Sequence, residues 1–461
     1  MKKIRIAALL CTAAVAAALS SGCGNSSESE TLVLRIANCE EYIDEGEWDE
    51  DELIELDSGE VFGENALVDD FCEWYKDTYG IDIEVEYSTY GTNEELYNQM
   101  SLGNVFDLVC PSEYMIMKFM EEDRLEPLSE DFYDTEKEDN YYINGVSPYI
   151  NDVFRSLNYS DKCIYDYAAA YMWGTMGLVY NPDEISEEAV AHWDVLRNPR
   201  YFKRVTMKDS VRDSYIVGSS IMNCELVTSQ DFLGSADYHD RLSETLNDTS
   251  EETVDKIEKI LSTMRENCYS METDSGKADM ITGKVIVNMQ WSGDAVYTMD
   301  QAEEDDYYLN YAVPEECTNL WVDGWVMMAD GINGDPQKKA AAEAFINFIS
   351  MPENAVRNMY YIGYTSAISG GDSDLIYEYV DYCYGAEDEE EGVEYDLSYF
   401  FGEDHVLLTD EEQTQRQLFA QYPTEEVIDR SAVMKCFDKE ANMRIMQMWT
   451  NIRCFDLSDL W

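Results

Sequence analysis

A single aspartate interrupts an apolar stretch, TNLWVDGWVM, at residues 318–327. The stretch is typical of a buried β-strand. Side chains alternate faces along a strand, so Trp321, Asp323 and Trp325 would share one face. An ionised carboxylate on an apolar face needs a cation nearby, or its pKa rises until it is neutral. The chemistry that this pattern could support is therefore the binding of a positively charged group.

The neighbouring sequence supplies no such group, because no Lys, Arg or His occurs between Lys284 and Lys338. We therefore expect Asp323 to face a cation that comes from outside the chain. The alternative is an aspartate near a strand end that caps a turn at Gly324.

The composition and net charge of the chain limit the kinds of molecule that it could bind. The chain has 461 residues, 45% of them hydrophobic, and a formal net charge of −65. This size gives room for two domains with large cores, and the apolar content differs from that of disordered acidic chains. Nucleic acid and anionic membrane surfaces would be repelled. A cationic ligand would be concentrated around the protein, although solubility alone also explains such a charge.

The N-terminus has the pattern of an export signal. MKKIRIAALLCTAAVAAALSSGC combines basic residues, an apolar stretch and small residues before Cys23. It resembles a bacterial lipoprotein signal, which predicts removal of residues 1–22, lipidation of Cys23 and a flexible tether over residues 23–31. A secreted protein that is cut elsewhere is the alternative. No second stretch is long and apolar enough to span a bilayer, so we expect an extracytoplasmic protein held on the cell membrane by lipid alone.

Cysteine and histidine spacing does not indicate a metal site. Beyond Cys23, ten cysteines occur singly without a C-x-x-C pair, and the three histidines lie far apart. Zinc sites and histidine-based catalytic triads need closer groupings. We therefore expect no metal ligands, no catalytic residues and no cofactor. Disulfide pairing stays open, since an exported chain could carry one or two bridges or none.

Strand and helix patterns alternate along the chain, which is typical of an α/β layer fold. Strands are predicted within residues 31–42, 81–91, 167–185 and 318–327, and helices within 67–80, 92–103, 250–267, 335–360 and 438–453. The acidic region 370–415 is predicted to be rich in loops.

A set of short motifs then carries a family resemblance. In chain order they are NCEEY, YSTYGTNEELYNQM, FDLVCPSEYMIMKFM, YMWGTMGLVYN, DSVRDSY, VNMQWSGDA, LWVDGWVM, AFINFISMPENA and IGYTSA. Together, over roughly residues 32–368, they resemble the extracytoplasmic spermidine/putrescine-binding proteins of ABC importers.

The resemblance implies an α/β fold of the two-lobe periplasmic-binding-protein type (type II), with the ligand in the cleft between the lobes. The chain would cross between lobes near WGTMG and again near LWVDG. The first lobe would comprise residues 32–175 plus 322–368, and the second 176–321 plus 369–461.

The resemblance also implies a site of carboxylates and aromatic walls. Polyamine ammonium groups pair with carboxylates, and the methylene chain packs on aromatic faces that also attract the cations. Carried over position by position, the candidates are Glu41, Tyr42, Ser112, Tyr114, Asp209, Asp213, Trp291, Asp294, Trp321, Asp323 and Tyr364.

Some of these assignments have alternatives. A one-residue alignment shift decides whether Asp209 or Asp213 faces the ligand, and Arg212 between them could pair with either. Cys39 stands where the family has a tryptophan, which removes one aromatic wall. Trp48 in the following acidic segment could fold back to replace it.

The function implied is that of a monomeric substrate-binding protein. It would capture putrescine or spermidine outside the cell and deliver it to the permease subunits of an ABC importer. One alternative is the same fold binding another small cationic or polar solute. A hydrolase with paired carboxylates is a weaker alternative, because acidic residues are too abundant here for any pair to be diagnostic.

Overall fold

The structure is a computed structural model that describes residues 31–388 and 390–454. The predicted signal over residues 1–22 and the lipidation site Cys23 lie outside the described residues. The strands are β1 Leu32–Cys39, β2 Ile54–Leu56, β3 Gly59–Val61, β4 Ile83–Tyr90, β5 Leu108–Val109, β6 Leu125–Glu126, β7 Asn158–Tyr159, β8 Lys162–Cys163, β9 Ala168–Tyr180, β10 Val205–Lys208, β11 Met271–Glu272, β12 Val287–Trp291, β13 Asn310–Ala312, β14 Thr318–Met328, β15 Thr365–Ser366, β16 Val393–Asp396, β17 Val406–Thr409 and β18 Ser431–Ala432.

The helices are α1 Leu67–Tyr79, α2 Asn93–Ser101, α3 Glu113–Glu121, α4 Tyr141–Gly145, α5 Pro148–Ser156, α6 Glu187–Val190, α7 Val211–Val227, α8 Gln230–Leu233, α9 Tyr238–Leu246, α10 Glu251–Asn267, α11 Gly276–Ile281, α12 Ser292–Glu303, α13 Ala329–Ile332, α14 Pro336–Ile349, α15 Pro352–Ile362, α16 Leu375–Tyr384, α17 Ser398–Phe401, α18 Gln417–Gln421, α19 Glu425–Asp429 and α20 Lys439–Arg453. Within the described ranges, no helix is both long and apolar enough to cross a membrane.

One sheet of twelve strands organises the molecule. Strands β4, β1 and β5 form a parallel block at one end, and β11, β10 and β12 form another at the opposite end. Two long antiparallel strands, β9 and β14, lie between the blocks. The strand predicted at 318–327 is confirmed, as is an extended strand within 167–185.

Both long strands connect the two blocks. The first half of β9 pairs with β14, and its second half, from Met176 onward, pairs with β12. β14 pairs with β5 near its C-terminal end. Every residue of both strands is buried, as expected for apolar runs covered on both faces.

The hydrophobic core is also divided into clusters that follow the two blocks of strands. One cluster gathers apolar residues from β1 to Trp173 and from Leu320 to Tyr422, and a second gathers residues from Met176 to Met289 together with Phe437 to Ile452. Side chains between residues 375 and 422 pack in the first cluster. This differs from the sequence-based division, which assigned 369–461 to the second lobe.

Local sequence features set two of the helix ends. Helix α1 ends at Gly80, whose φ of 70° is the left-handed conformation that glycine adopts easily. Thr92 caps α2, its side chain accepting from the backbone of Glu95.

Two predictions of local structure are wrong. The single helix expected over 335–360 is two helices, because Pro352 begins α15 and cannot continue the turn that precedes it. The region 370–415 contains α16 and a β16–β17 hairpin, because its tyrosines and leucines pack into the core despite the acidic residues between them. The ten cysteines after Cys23 form no disulfide with one another in the described part of the chain.

Candidate functional site

Asp323 lies at an irregularity in β14. The pairing of β14 with β9 shifts register between Val322 and Gly324, so the strict alternation of faces expected for this strand is interrupted there. Such bulges re-aim a side chain. The backbone N–H of Gly324 donates to the carbonyl of Pro111 at 3.0 Å, and Asp323 forms an isolated bridge with Ser112. The aspartate is thereby fixed against the start of α3.

The Asp323 carboxylate is buried and neutral donors surround it. The Tyr42 hydroxyl donates to its Oδ2 at 2.8 Å, and the Ser112 hydroxyl also donates to it. Burial raises the pKa of Asp323 to about 6, and the negative charge of Asp213 adds to the rise. Among the described residues, no Lys or Arg forms an ion pair with Asp323. The carboxylate can therefore accept a cation, which the described part of the chain does not supply.

Asp213 is the second predicted carboxylate in this neighbourhood. It lies in the first turn of α7, is 6% exposed, and accepts from the indole Nε1 of Trp291 at 3.3 Å. Burial raises its pKa. The alternative that Arg212 pairs with it does not hold in this structure. The Arg212 guanidinium lies between the rings of Tyr114 and Phe437, 4.5 and 3.8 Å from their centroids.

Asp294 differs from the two preceding aspartates because the chain already neutralises it. Lys208 and Lys277 place their ammonium groups 3.3 and 3.5 Å from its carboxylate, and the Tyr364 hydroxyl donates to it at 3.0 Å. Burial alone would raise the pKa of Asp294, but the two lysines outweigh it and hold the pKa below its usual value. A ligand ammonium at Asp294, which the family resemblance implies, would therefore meet two resident cations.

Lys208 is one of the residues of this region that sequence reasoning missed. Its side chain is completely buried, and its Nζ donates to the carbonyl of Thr273 at 2.7 Å and lies 3.7 Å from Glu272. The same Nζ lies 4.3 Å from the ring centroid of Trp291, a predicted aromatic wall. The available signal was a lysine ending the apolar strand β10, directly before DSVRD.

Predicted aromatic residues pack edge to face around the aspartates. The ring of Tyr364 lies 5.3 Å from that of Tyr42 and 5.6 Å from that of Trp321. Tyr171, which was not predicted, meets Tyr42 at 5.4 Å. Gly293 makes room for this arrangement, since a Cβ there would lie 2.3 Å from the Tyr364 ring.

A buried glutamate supports the irregular part of β14. Glu113 Oε2 accepts from the backbone N–H of Val322 at 3.1 Å, directly before Asp323. Burial raises the pKa of Glu113 to about 8, with the charge of Asp323 contributing. Glu113 therefore positions the strand directly before Asp323. The PSEY motif contained it, but the family pattern singled out its neighbours Ser112 and Tyr114.

The remaining predicted residues, Tyr114, Glu41 and Asp209, interact with partners other than Asp323. Tyr114 donates to Glu94 at 3.3 Å. Glu41 is exposed, with a positive φ of 54°, and its charge contributes to the raised pKa of Lys277. Asp209 forms an ion pair with Arg453 of α20 at 3.0 Å. The structure thus joins Asp213, and not Asp209, to the carboxylates near Trp291.

Trp48 does not replace the missing tryptophan at position 39. Its ring packs on Tyr360 at 4.5 Å, and its Nε1 donates to Asp44 at 3.1 Å. Cys39 itself is partly buried, and burial raises the pKa of its thiol, with the charge of Asp323 contributing. The site therefore keeps a small side chain where the family has an aromatic wall.

Two blocks of parallel strands joined by two long crossing strands, with carboxylates and aromatic rings where those strands meet, define a solute-binding protein of the two-lobe periplasmic type. The chain belongs to the family of bacterial extracellular solute-binding proteins, which it matches over residues 66–373.

Named relatives agree with this placement. The chain is similar to the putrescine-binding periplasmic protein SpuD of Pseudomonas aeruginosa, with 25% identity over 282 residues, 59% of this chain and 68% of the relative. It is also similar to the putrescine-binding periplasmic protein PotF of Escherichia coli, with 23% identity over 298 residues, 62% and 71% of the two chains.

Solved structures share the fold. The spermidine/putrescine ABC transporter substrate-binding protein PotD of Streptococcus pneumoniae superposes with a TM-score of 0.57 and 24% identity, covering 92% of this chain and 99% of that chain. The TpPotD lipoprotein of Treponema pallidum gives a TM-score of 0.58 with 14% identity, covering 91% and 99%.

Proposed function

We propose that this protein captures a polyamine, putrescine or spermidine, outside the cytoplasm and delivers it to the permease subunits of an ABC importer. The observation that carries the proposal is the buried Asp323 carboxylate, to which the described residues donate neutral hydroxyl groups, from Tyr42 and Ser112, and no cation. An ammonium group supplies the missing charge and hydrogen bonds in one step.

The surrounding side chains suit the rest of such a ligand. Tyr42, Tyr364 and Trp321 offer apolar ring surface for methylene groups and ring edges and faces for cations. Asp213 offers a second buried carboxyl group on the side of α7. The names of the relatives from P. aeruginosa and E. coli, which are putrescine-binding proteins, support the same ligand class.

Delivery would use the two crossing strands. β9 and β14 connect the two parallel blocks, so bending within them would open and close the site between the blocks. We propose that the protein acts as a monomer and as a binding protein without catalysis, anchored to the cell membrane through a lipid on Cys23.

The direct test is a calorimetric titration of the protein with putrescine, spermidine and magnesium at physiological salt. Salt matters because a chain of net charge −65 attracts any cation weakly, and screening removes that contribution. The proposal predicts saturable one-to-one binding of one amine with micromolar or tighter affinity, which corresponds to about −8 kcal/mol or below. Magnesium should not compete.

Weak, salt-sensitive uptake of all cations at many sites would reject the polyamine assignment. It would direct the search to another small cationic or polar solute bound by the same fold. Turnover of an added glycoside, without amine binding, would favour the hydrolase alternative instead.

A further inference from the structure

Three metal-ligating side chains from distant parts of the chain meet outside the site described above. His192, Cys224 and Glu316 each contribute one ligand atom, and these atoms all lie within 4.8 Å of one another. His192 Nδ1 and Glu316 Oε1 lie 3.1 Å apart. We refer to these three residues as the His–Cys–Glu cluster.

The backbone around the cluster is firmly held. The indole Nε1 of Trp193 donates to the carbonyl of Cys317 at 2.8 Å, and the N–H of Glu315 donates to the carbonyl of Ala191 at 2.9 Å. Trp193 is completely buried. The segments before and after His192 and Glu316 are thus fixed side by side, and α7 brings Cys224 to them.

Glu316 is an unusual residue to find buried in this way. It is 2% exposed, and its Oε2 has no hydrogen-bond partner among the described residues. No described Lys or Arg forms an ion pair with it; its charged partner is His192 when that ring is protonated. A buried carboxylate with an oxygen left over favours a bound cation.

We propose that the His–Cys–Glu cluster binds a zinc ion. Imidazole nitrogen, thiolate sulfur and carboxylate oxygen are the ligands that zinc takes, whereas calcium and magnesium prefer oxygen alone. Ligand atoms around tetrahedral zinc lie about 3.3–3.8 Å apart. The three ligand atoms of the cluster lie within 4.8 Å of one another, so they need to move only slightly closer together. The half-exposed His192 ring can supply that movement, and water completes the coordination.

Binding requires the thiolate form of Cys224. Its proton passes to solvent when the sulfur–zinc bond forms. The ion would then join the loop at His192, helix α7 and the entry to strand β14, one of the two crossing strands. The proposal is independent of amine binding, because none of the three residues belongs to the Asp323 site.

Cobalt is the probe that tests the cluster specifically. The full chain, stripped of metal with a chelator, is titrated with Co²⁺ and then Zn²⁺ at physiological salt. We expect one Co²⁺ per chain with a thiolate-to-cobalt charge-transfer absorption, which Zn²⁺ removes by displacement. Acidic surface residues cannot produce this absorption, so non-specific uptake is distinguished.

Variants identify the ligands. Cys224→Ser should abolish the absorption, and Glu316→Gln and His192→Ala should each weaken Zn²⁺ binding by about tenfold or more. Cys163→Ser and His239→Ala are the matched controls, and both should bind like the wild type. The proposal is overturned if the wild type shows no absorption, if Cys224→Ser retains it, or if the other two variants bind Zn²⁺ unchanged.

Discussion

The Tyr42 hydroxyl donates a hydrogen bond to Asp323 across 281 residues of sequence, at a distance of 2.8 Å. This contact joins the segment after β1 to the irregular part of β14, and it brings a neutral donor to a buried carboxylate. The carboxylate is hydrogen-bonded yet uncompensated in charge, and the proposed function depends on that combination.

Replacing Asp323 by Asn should weaken amine binding severely. The variant keeps the shape of the side chain but removes the charge, and losing one partner of a buried charged pair costs about 2–5 kcal/mol, or roughly 30-fold or more in affinity. Calorimetry with the preferred amine measures the loss. The control is Asp330→Asn, an exposed aspartate on α13, which should bind like the wild type. Equal affinities for the Asp323 and Asp330 variants would remove Asp323 from the site.

The same substitution should change how stability depends on pH. The pKa of Asp323 is about 6 in the folded protein against an ordinary 3.8, so the folded state holds the proton more tightly than the unfolded state. The stability from that proton is present below pH 4 and is lost as pH rises through 6, by about 2–3 kcal/mol. Urea unfolding of wild type and Asp323→Asn at pH 4 and pH 7 measures the difference. Relative to the wild type, the free energy of unfolding of the variant should be higher at pH 7 than at pH 4. The same difference in free energy at both pH values would contradict the raised pKa.

Replacing Lys208 by Met should make the protein dependent on a ligand cation at Asp294. The substitution removes a buried ammonium that contacts Asp294 at 3.3 Å, so we expect a destabilisation of about 3–5 kcal/mol. An added diamine or triamine can then place its second ammonium at Asp294. Thermal unfolding should show a larger stabilisation by spermidine in Lys208→Met than in wild type.

The control for this experiment is Lys284→Met, which removes a half-exposed lysine paired with Asp279. It should respond to spermidine like the wild type. The same response in both lysine variants would mean that Lys208 does not compete with the ligand for Asp294.

A methyl group at Gly293 should disturb the aromatic wall. The Cβ of Gly293→Ala would lie 2.3 Å from the Tyr364 ring, which contacts Tyr42 and Trp321 and donates to Asp294. Displacing the ring should cost about 1–3 kcal/mol of amine binding or of stability. Gly59→Ala, where a Cβ would lie 3.6 Å from Leu375, is the control and should be neutral. Equal behaviour of the two variants would show that the Tyr364 ring moves freely.

Sequence patterns predicted strands and helices well where neighbouring residues determine the structure. The apolar run around Asp323 gave strand β14, and the glycine at position 80 marked the end of α1. The break at Pro352 was also visible in principle, because proline begins helices far more readily than it continues them.

Other features depend on distant residues and could not be read from neighbouring sequence. The Lys208–Asp294 pair joins residues 86 apart, and the His–Cys–Glu cluster joins three separate segments. The family resemblance placed Asp294 among ligand carboxylates, but it did not include the lysine that reaches it. The absence of cations near Asp323 in sequence was informative because the fold brings none to it from elsewhere in the described residues.

The most direct measurement of the central claim is proton release on amine binding at pH 6. At that pH about half of the free protein carries a proton on Asp323, and pairing with an ammonium requires the ionised form, so about half a proton should leave per ligand bound. Calorimetric titrations in two buffers of different ionisation enthalpy give this number. The account predicts that wild type releases about half a proton more than Asp323→Asn under the same conditions. Equal proton release by the two proteins would contradict the claim that Asp323 receives the ligand's ammonium group.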